Sequence, residues 1–273
     1  MKIGLLQMTS GVDPTANAAV IEPAIADAAA QGAVMLFTPE MSGLLDSNGA
    51  RAANHVVAER DDLVLARVRA AAAAAGIWVH LGSLAVKSDG EEPRWANRGF
   101  VIDAAGEIAA HYDKLHLFDV DLPTGESWRE SSRYVPGPGT SLIETPVGKL
   151  GLSICYDMRF PALFQTLSGA GATILSVPAA FTVPTGQAHW HALLRARAIE
   201  NACWLVAAAQ TGTHEDGRST YGHSLVVDPW GRVVLDMETA PGLAICDIDP
   251  AAVDDVRTRV PVLAHRRAIP VPA

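Results

Sequence analysis

The chain has 273 residues, of which 49% are hydrophobic and 19% are charged, and it carries a formal charge of −9 at pH 7. This composition excludes a disordered chain, and the acidic balance gives no electrostatic basis for binding nucleic acid. The three cysteines are far apart and form no Cys-x-x-Cys pair, so neither a disulfide framework nor a metal site is expected.

The sequence also predicts no association with a membrane. The weakly polar stretch 70–84 is too short to span a bilayer and contains the helix-breaking Gly76. The N-terminus lacks the basic segment, apolar core and cleavage site of a secretory signal. A cytoplasmic location is therefore expected.

Short runs rich in Val, Ile and Leu alternate with longer Ala-rich and Leu-rich segments of helical period, which indicates an α/β fold. The predicted elements are a strand over 2–8, a helix over 15–30, a strand over 33–38, a helix over 59–75, strands over 77–83, 98–103 and 150–155, a helix over 160–169, a strand over 172–177, a helix over 189–201, strands over 203–209, 223–228 and 243–248, and a helix over 251–258. Together they predict one domain over 1–273, with a C-terminal tail from about 258. Region 113–149 has no clear period and is expected to be a long surface excursion.

The two halves of the chain resemble each other. The segment that begins Lys2-Ile-Gly-Leu is echoed by Lys149-Leu-Gly-Leu, and Gly99-Phe-Val-Ile-Asp-Ala-Ala-Gly is echoed by Ser224-Leu-Val-Val-Asp-Pro-Trp-Gly. Two sheets that pack face to face, with helices outside them, would accommodate such a repeat. The alternative is that ordinary α/β turn sequences recur by chance.

Cys155 ends an apolar segment, and Phe160-Pro161 then begins a predicted helix. A side chain at such a turn projects from the carboxyl end of the sheet, where the backbone N–H groups that follow can face an anion. A buried structural cysteine is the alternative. Glu40 and Lys114 also follow predicted strands, although each of them alone is compatible with a solvated surface residue.

Taken together, these residues resemble a family signature. Pro39-Glu40, Tyr112-Asp-Lys-Leu-His-Leu and Ile154-Cys-Tyr-Asp-Met-Arg-Phe-Pro match, in order and spacing, the Glu, Lys and Cys motifs of the nitrilase superfamily of carbon-nitrogen hydrolases. The resemblance extends over nearly the whole chain and is greatest to the branch that includes deaminated glutathione amidase and the ω-amidases. It implies a four-layer α-β-β-α sandwich with an internal pseudo-two-fold repeat, which agrees with the echo between the halves.

The resemblance also implies a mechanism and a set of site residues. Cys155 would be the nucleophile, Glu40 the general base, and Lys114 the oxyanion stabiliser together with the backbone N–H of Tyr156. Glu130 matches a second glutamate of the family and would orient Lys114 or the substrate amide. Three further residues are expected to contact the substrate: Phe181, Thr182 and Thr185.

The expected reaction is hydrolysis of a small linear amide to a carboxylic acid and ammonia through a thioester, without metal or cofactor. Deaminated glutathione is the expected substrate, and an ω-amidase acting on α-keto acid amides is the nearest alternative. A nitrilase, a cysteine peptidase and a non-catalytic interaction protein remain further alternatives. The resemblance also implies a homodimer or a higher homo-oligomer.

The remaining polar residues are expected to be structural. His189 and His191 are two positions apart on a predicted helix and cannot form an i, i+4 metal pair. His116 and His223 are assigned structural roles, and Arg159 is expected to form a structural ion pair, either with Asp157 or in the surroundings of Glu40.

Overall fold

The computed structural model describes residues 1–88, 92–122, 125 and 127–270, and its strands belong to two large sheets and two small ones. The strands are β1 (Lys2–Gln7), β2 (Ala33–Phe37), β3 (Trp78–Lys87), β4 (Trp95–Ile102), β5 (Ile108–Asp113), β6 (Asp119–Asp121), β7 (Ser127–Arg129), β8 (Leu142–Thr145), β9 (Gly148–Gly151), β10 (Ile174–Ser176), β11 (Trp204–Ala207), β12 (Thr211–Thr213), β13 (Ser219–Tyr221), β14 (Leu225–Val227), β15 (Val233–Asp236) and β16 (Gly242–Asp247). The helices are α1 (Pro14–Ala30), α2 (Gly49–Ala52), α3 (Leu63–Ala75), α4 (Pro161–Gly169), α5 (Val183–Asn201) and α6 (Ala251–Arg259).

The two large sheets have the same arrangement of strand directions. The first has the strand order β16-β1-β2-β3-β4-β5, and the second, written in the corresponding direction, has the order β8-β9-β10-β11-β14-β15. In each sheet three parallel strands occupy the centre and antiparallel strands flank them. The pseudo-two-fold repeat predicted from the sequence is therefore confirmed, because β1 corresponds to β9 and β4 to β14.

Alternating side chains of the strands separate two apolar cores. On β2, Met35 and Phe37 belong to the core between the sheets, whereas Leu36 belongs to the core under α1 and α3. The second sheet packs its outer face against α4 and α5, which bury Phe164 and Trp190. This arrangement is the predicted four-layer α-β-β-α sandwich, in which the opposed sheet faces and the helices each cover apolar surface.

Several predicted boundaries were wrong. Helix α5 begins at Val183 and not at 189, and its first turn contains Pro184, which is tolerated there because its missing N–H has no helical partner. The predicted helix over 59–75 is a 3-10 turn followed by α3, and the Asp62 carboxylate caps α3 by accepting a hydrogen bond from the Leu65 N–H at 2.8 Å. The predicted strand over 150–155 leaves the sheet after Gly151.

Region 113–149 is more ordered than predicted. It contains the two-stranded sheet of β6 and β7, a 3-10 turn over Glu130–Ser132, and the edge strand β8. Residues 123, 124 and 126 of this region lie outside the described residues, as do 271–273 of the predicted tail. None of the described helices is both long enough and apolar enough to cross a membrane.

Candidate active site

The carboxyl ends of three strands bring the three predicted chemical groups together. Glu40 follows β2, Lys114 follows β5, and Cys155 follows β9 after a short irregular segment. All three side chains are buried, with exposed fractions of 4%, 2% and 7%. Chemistry-bearing residues commonly occupy this edge of an α/β sheet, because loops there are supported by a rigid scaffold.

Cys155 lies at a sharp turn. Its φ of 49° is left-handed, a strained conformation for a residue other than glycine, and it begins a 3-10 turn over Cys155–Arg159. The Cys155 N–H donates to the carbonyl of Pro178 at 2.9 Å. The buried Asp157 carboxylate supports the turn by accepting hydrogen bonds from the Ile154 N–H and the Tyr112 hydroxyl at 2.9 and 2.8 Å. These bonds hold the thiol at the edge of the sheet.

Glu40 is fixed by close packing of its own backbone. A Cβ atom on Gly82 of β3 would lie 2.2 Å from the carbonyl oxygen of Thr38, so only glycine allows β3 to approach this segment. The Gln210 side chain donates to the Glu40 carbonyl at 3.0 Å. The carboxylate position is thus set by contacts with both halves of the chain.

The Glu40 carboxylate accepts several hydrogen bonds. One oxygen accepts from Lys114 Nζ and from Asn97 Nδ2, both at 2.9 Å, and the other accepts from the Ala180 N–H at 2.9 Å. The Cys155 thiol lies close enough to Glu40 for the carboxylate charge to raise the pKa of the thiol. A thiol, a carboxylate and an ammonium therefore lie together on one buried wall.

A second carboxylate completes this group. Glu130, in the 3-10 turn that follows β7, accepts from Lys114 Nζ at 2.9 and 3.1 Å. The N–H of Phe118 also donates to Glu130, at 2.6 Å. Lys114 thus lies between two carboxylates. A buried ammonium needs such hydrogen-bond partners, because an unpaired charge is costly to bury.

The buried charges set the protonation states. Burial alone would raise the pKa of Glu40, but the Lys114 ammonium and the hydrogen bonds to the carboxylate lower it below 4.5. Burial opposes the charge on Lys114, yet Glu130 and Glu40 hold its pKa well above 10.5. Burial and the nearby Glu40 charge raise the pKa of Cys155 well above 9.0. The resting group at neutral pH is therefore a thiol, a carboxylate and an ammonium.

Asn97 is a functional candidate that the sequence did not reveal. It is fully buried on β4, and its Nδ2 donates to Glu40 at 2.9 Å and to Glu130 at 3.1 Å. Its position orients both carboxylates at once. The available signal was the polar pair Asn97 and Arg98 within the largely apolar strand Trp95–Ile102, where an unpaired polar side chain would be costly.

A cavity of about 480 Å³ opens above these groups. Glu40, Lys114, Glu130 and Cys155 contribute to its wall, as do three predicted substrate contacts, Phe181, Thr182 and Thr185. The Tyr156 side chain is not part of that wall. Its ring instead packs edge to face against Phe118 and Phe160, with centroids 5.1 and 5.3 Å away, so only its backbone is available for the expected role.

Some of the other polar residues differ from expectation. Arg159 forms no ion pair with Asp157. Its guanidinium lies 3.3 Å from the His189 ring nitrogen and over the ring of Phe181, because the Asp157 carboxylate is already occupied by the Ile154 N–H, Tyr112 and His116. Cys203 and Cys246 are buried in the same apolar core as Met35 and Phe37.

A sandwich of two repeated sheets, with a buried thiol beside a carboxylate that binds an ammonium, is the arrangement of a thiol-dependent hydrolase. The sequence profile of the carbon-nitrogen hydrolase family matches residues 2–258, and the chain belongs to that family.

Several proteins that are similar to this chain are amidases. Deaminated glutathione amidase of Yersinia enterocolitica is 41% identical over 98% of this chain and 93% of its own. The crystal structure of the Caenorhabditis elegans NitFhit protein is 40% identical, with a TM-score of 0.90, and the match covers 97% of this chain and 65% of that one.

A solved structure with a modified cysteine is also similar. In a glutamate-to-glutamine mutant of the amidase from Nesterenkonia sp. AN1, acrylamide has added to the active-site cysteine. That protein is 30% identical with a TM-score of 0.79, over 95% of this chain and 98% of its own. The present chain is accordingly an amidase of the carbon-nitrogen hydrolase family.

Proposed function

We propose that this amidase hydrolyses small amides that carry a carboxylate, with Cys155 as nucleophile, Glu40 as general base and Lys114 as oxyanion stabiliser. The observation that carries the proposal is the buried group in which Glu40 and the Cys155 thiol share one cavity wall and the Lys114 ammonium lies 2.9 Å from the Glu40 carboxylate. Each chemical role required for amide cleavage has one side chain in this group.

In the first step the thiol attacks the amide. The Cys155 proton moves to the Glu40 carboxylate while the sulfur bonds to the carbonyl carbon, and the carbonyl oxygen becomes an oxyanion. The ammonium of Lys114 and the backbone N–H of Tyr156 are assigned to that oxyanion. Collapse of the intermediate breaks the carbon–nitrogen bond, and Glu40 returns the proton to the leaving nitrogen, which departs as ammonia from a primary amide or as an amine from a secondary one.

The second step removes the acyl group. Glu40 takes a proton from water while the water oxygen attacks the thioester carbon, and a second oxyanion forms between the same donors. Collapse breaks the carbon–sulfur bond, releases the carboxylic acid, and returns the proton from Glu40 to the Cys155 sulfur. The enzyme thereby returns to its starting state, and the only reactants consumed are the amide and one water molecule.

Lys114 affects both the general base and the oxyanion. In the resting site its ammonium stabilises the charged form of Glu40 and so keeps the carboxylate a weak base. As the oxyanion develops, the ammonium interacts with the new charge, and Glu40 becomes a stronger base at the moment when it accepts the proton. Glu130 and Asn97 are positioning residues in this scheme, because they hold Lys114 and Glu40 but need not touch the substrate.

The cavity supports a carboxylate-bearing substrate. Three arginines contribute to its wall, of which Arg129 pairs with Asp121 at 2.9 Å and Arg218 with Asp216 at 2.8 Å. Among the described residues Arg133 has no carboxylate partner, and its guanidinium donates to the Ser47 carbonyl at 2.7 Å. A partly buried cation of this kind favours an anionic ligand.

Deaminated glutathione, the substrate named for several relatives, fits these requirements. It carries carboxylates at both ends, and its amides are secondary, so the leaving group is an amine. Phe181, Thr182 and Thr185 are proposed as substrate contacts, because all three belong to the cavity wall. The apolar Phe181 would pack against the acyl chain, and the two hydroxyls, which hydrogen-bond to each other at 2.7 Å, would leave one donor for its polar groups.

The experiment is a substrate panel in which the acid product is measured by mass spectrometry, because ammonia detection alone would miss secondary amides. The panel contains deaminated glutathione, α-ketoglutaramate, butyramide and butyronitrile, with wild type beside Cys155→Ala. Preference for deaminated glutathione, lost in the variant, would support the proposal, whereas preference for α-ketoglutaramate would favour an ω-amidase. If wild type and Cys155→Ala were equally inactive on every compound, the proposal would fail and a non-catalytic interaction protein would be favoured.

We also propose a homodimer in the cytoplasm. The C-terminal segment is ordered against α4 and α5, where Arg266 donates to Ser168 and Asn201 at 2.9 Å, and exposed apolar side chains such as Trp230 and Ile199 lie on the same half of the molecule. Light scattering at micromolar concentration that gives the mass of a single chain would contradict the dimer. Cell fractionation tests the location.

A further inference from the structure

Three side chains outside the candidate active site converge on one point of the second half of the molecule. They are His191 of α5, His223 in the connection from β13 to β14, and Asp236 at the end of β15. His191 Nε2 lies 2.9 Å from Asp236 Oδ2, and His223 Nδ1 lies 2.9 Å from Asp236 Oδ1. One ligand atom from each residue lies within 4.8 Å of the others.

We propose that His191, His223 and Asp236 form a binding site for one divalent transition-metal ion, with Zn²⁺ as the best match. Two imidazoles and one carboxylate are the ligand set that Zn²⁺ accepts with a fourth, exchangeable water. This inference goes beyond the proposed amide hydrolysis, because none of the three residues belongs to the wall of the active-site cavity.

The spacing of the ligand atoms suits such an ion. A tetrahedral Zn²⁺ with ligands at about 2.1 Å holds them about 3.4 Å apart. The Asp236 Oδ2 atom lies 2.9 Å from His191 Nε2 and 3.2 Å from His223 Nδ1, close to that separation. Each imidazole would coordinate through the nitrogen that now faces the carboxylate and would carry its proton on the other ring nitrogen.

The backbone holds His223 in place for this role. Its φ of 55° is left-handed, which is uncommon for a side chain of this size. The Trp190 indole donates to the His223 carbonyl at 2.8 Å, and the ring of Tyr221 stacks on the imidazole with centroids 4.4 Å apart. Residues held in such strained conformations concentrate at functional sites.

The hydrogen bonding of Asp236 and the exposure of the three side chains also suit a metal site. Asp236 Oδ1 accepts a hydrogen bond from the Glu238 N–H at 2.9 Å, the kind of outer contact that orients a metal ligand. The side chains of His191, His223 and Asp236 are 37%, 20% and 28% exposed, so an ion can enter from solvent while each ligand remains partly shielded. A bound ion would connect α5 to β15 and to the segment before β14.

The test uses untagged protein in the Cys155→Ser background, because a histidine tag or the active-site thiol would itself bind Zn²⁺. Metal-free protein is titrated with ZnCl₂ by calorimetry and with CoCl₂ by visible absorption. We expect one ion per chain, intense tetrahedral Co²⁺ bands, and a rise of a few degrees in Tm with Zn²⁺. His191→Ala and Asp236→Asn should each weaken binding at least tenfold and remove the rise in Tm.

His189→Ala is the matched control, because His189 is exposed on the same helix and should leave binding unchanged. Circular dichroism without metal checks that each variant is folded. The Co²⁺ spectrum of protein that retains His191, His223 and Asp236 tests the proposed site without relying on any variant. Absence of tetrahedral bands, or Zn²⁺ binding that persists unchanged in both ligand variants, would overturn the proposal.

Discussion

The ammonium of Lys114 lies 2.9 Å from a carboxylate oxygen of Glu40, and both side chains are almost completely buried. A buried pair of this kind is costly to desolvate, and loss of one partner would strongly destabilise the folded protein. Because the pair lies at the floor of a cavity beside a thiol, we propose that it serves the reaction and that Lys114 interacts with the oxyanion as the charge develops.

Lys114→Met should therefore impair the chemical step. Methionine retains the length and apolar stem of lysine, but it cannot donate to the oxyanion, so kcat should fall by about 10²–10³ with little change in KM. Steady-state kinetics with wild type and variant measure this split. Loss of affinity with an unchanged kcat would instead assign Lys114 to substrate binding.

The pH dependence should show an unusually low acid limb. Because the pKa of Glu40 lies below 4.5, the carboxylate remains a base through the neutral range, and kcat/KM for butyramide should be flat from about pH 6 to 8. Because the pKa of Glu40 is lowered in the folded protein, ionised Glu40 also stabilises the fold at pH values above its pKa in the unfolded chain. This stabilisation is lost as pH falls through the pKa of Glu40 in the folded protein. Circular dichroism therefore accompanies the assay. An acid limb near pH 6.5 in folded protein would contradict a depressed Glu40 pKa.

Asn97→Ala should affect activity beyond its effect on stability. The substitution removes the donor shared by Glu40 and Glu130, and loss of a hydrogen bond to a charged group costs about 1.5–3 kcal/mol, so kcat should fall roughly tenfold or more. Asn201→Ala is the control, because Asn201 is equally buried but bonds to Ser168 near the far end of α5. A fall in kcat equal to that of the control would mean that Asn97 is only structural.

Arg133 should determine selectivity for anionic amides. Arg133→Ala should raise KM for α-ketoglutaramate about tenfold or more, because the variant loses a charge-assisted contact, while kcat/KM for butyramide stays unchanged. Arg133→Lys should restore part of the loss. Arg129→Ala is the control, since Arg129 is half exposed and already paired with Asp121. Equal effects on charged and neutral amides would reject a carboxylate contact at Arg133.

The sequence predicted the order of the layers because the repeat is carried by local strand and turn patterns. The echo of Lys2-Ile-Gly-Leu in Lys149-Leu-Gly-Leu corresponds to β1 and β9 at equivalent places in the two sheets. The start of α5 was missed because Pro184 and Gly186 are poor helix formers, and tertiary contacts override that preference: Gly186 packs against the ring of Tyr221.

The site was less fully predictable than the fold. The motifs around Glu40, Lys114 and Cys155 indicated their chemistry, and the structure adds their contacts. Asn97 and Arg133 were missed for different reasons. Asn97 matters only because β4 places it between two carboxylates distant in sequence. Arg133 stands out only because the neighbouring arginines pair with carboxylates, whereas among the described residues it bonds to a backbone carbonyl and to no carboxylate. Neither property exists before the chain folds.

Detection of the acyl-enzyme tests covalent catalysis by Cys155 most directly. Enzyme mixed with its preferred amide is quenched in acid within milliseconds to seconds, and its intact mass and peptides are measured for wild type and Cys155→Ser. We expect a mass increase equal to the acyl group, located on Cys155 and absent from the variant. Undiminished hydrolysis by Cys155→Ser, with no adduct at that position in wild type, would contradict a thioester mechanism.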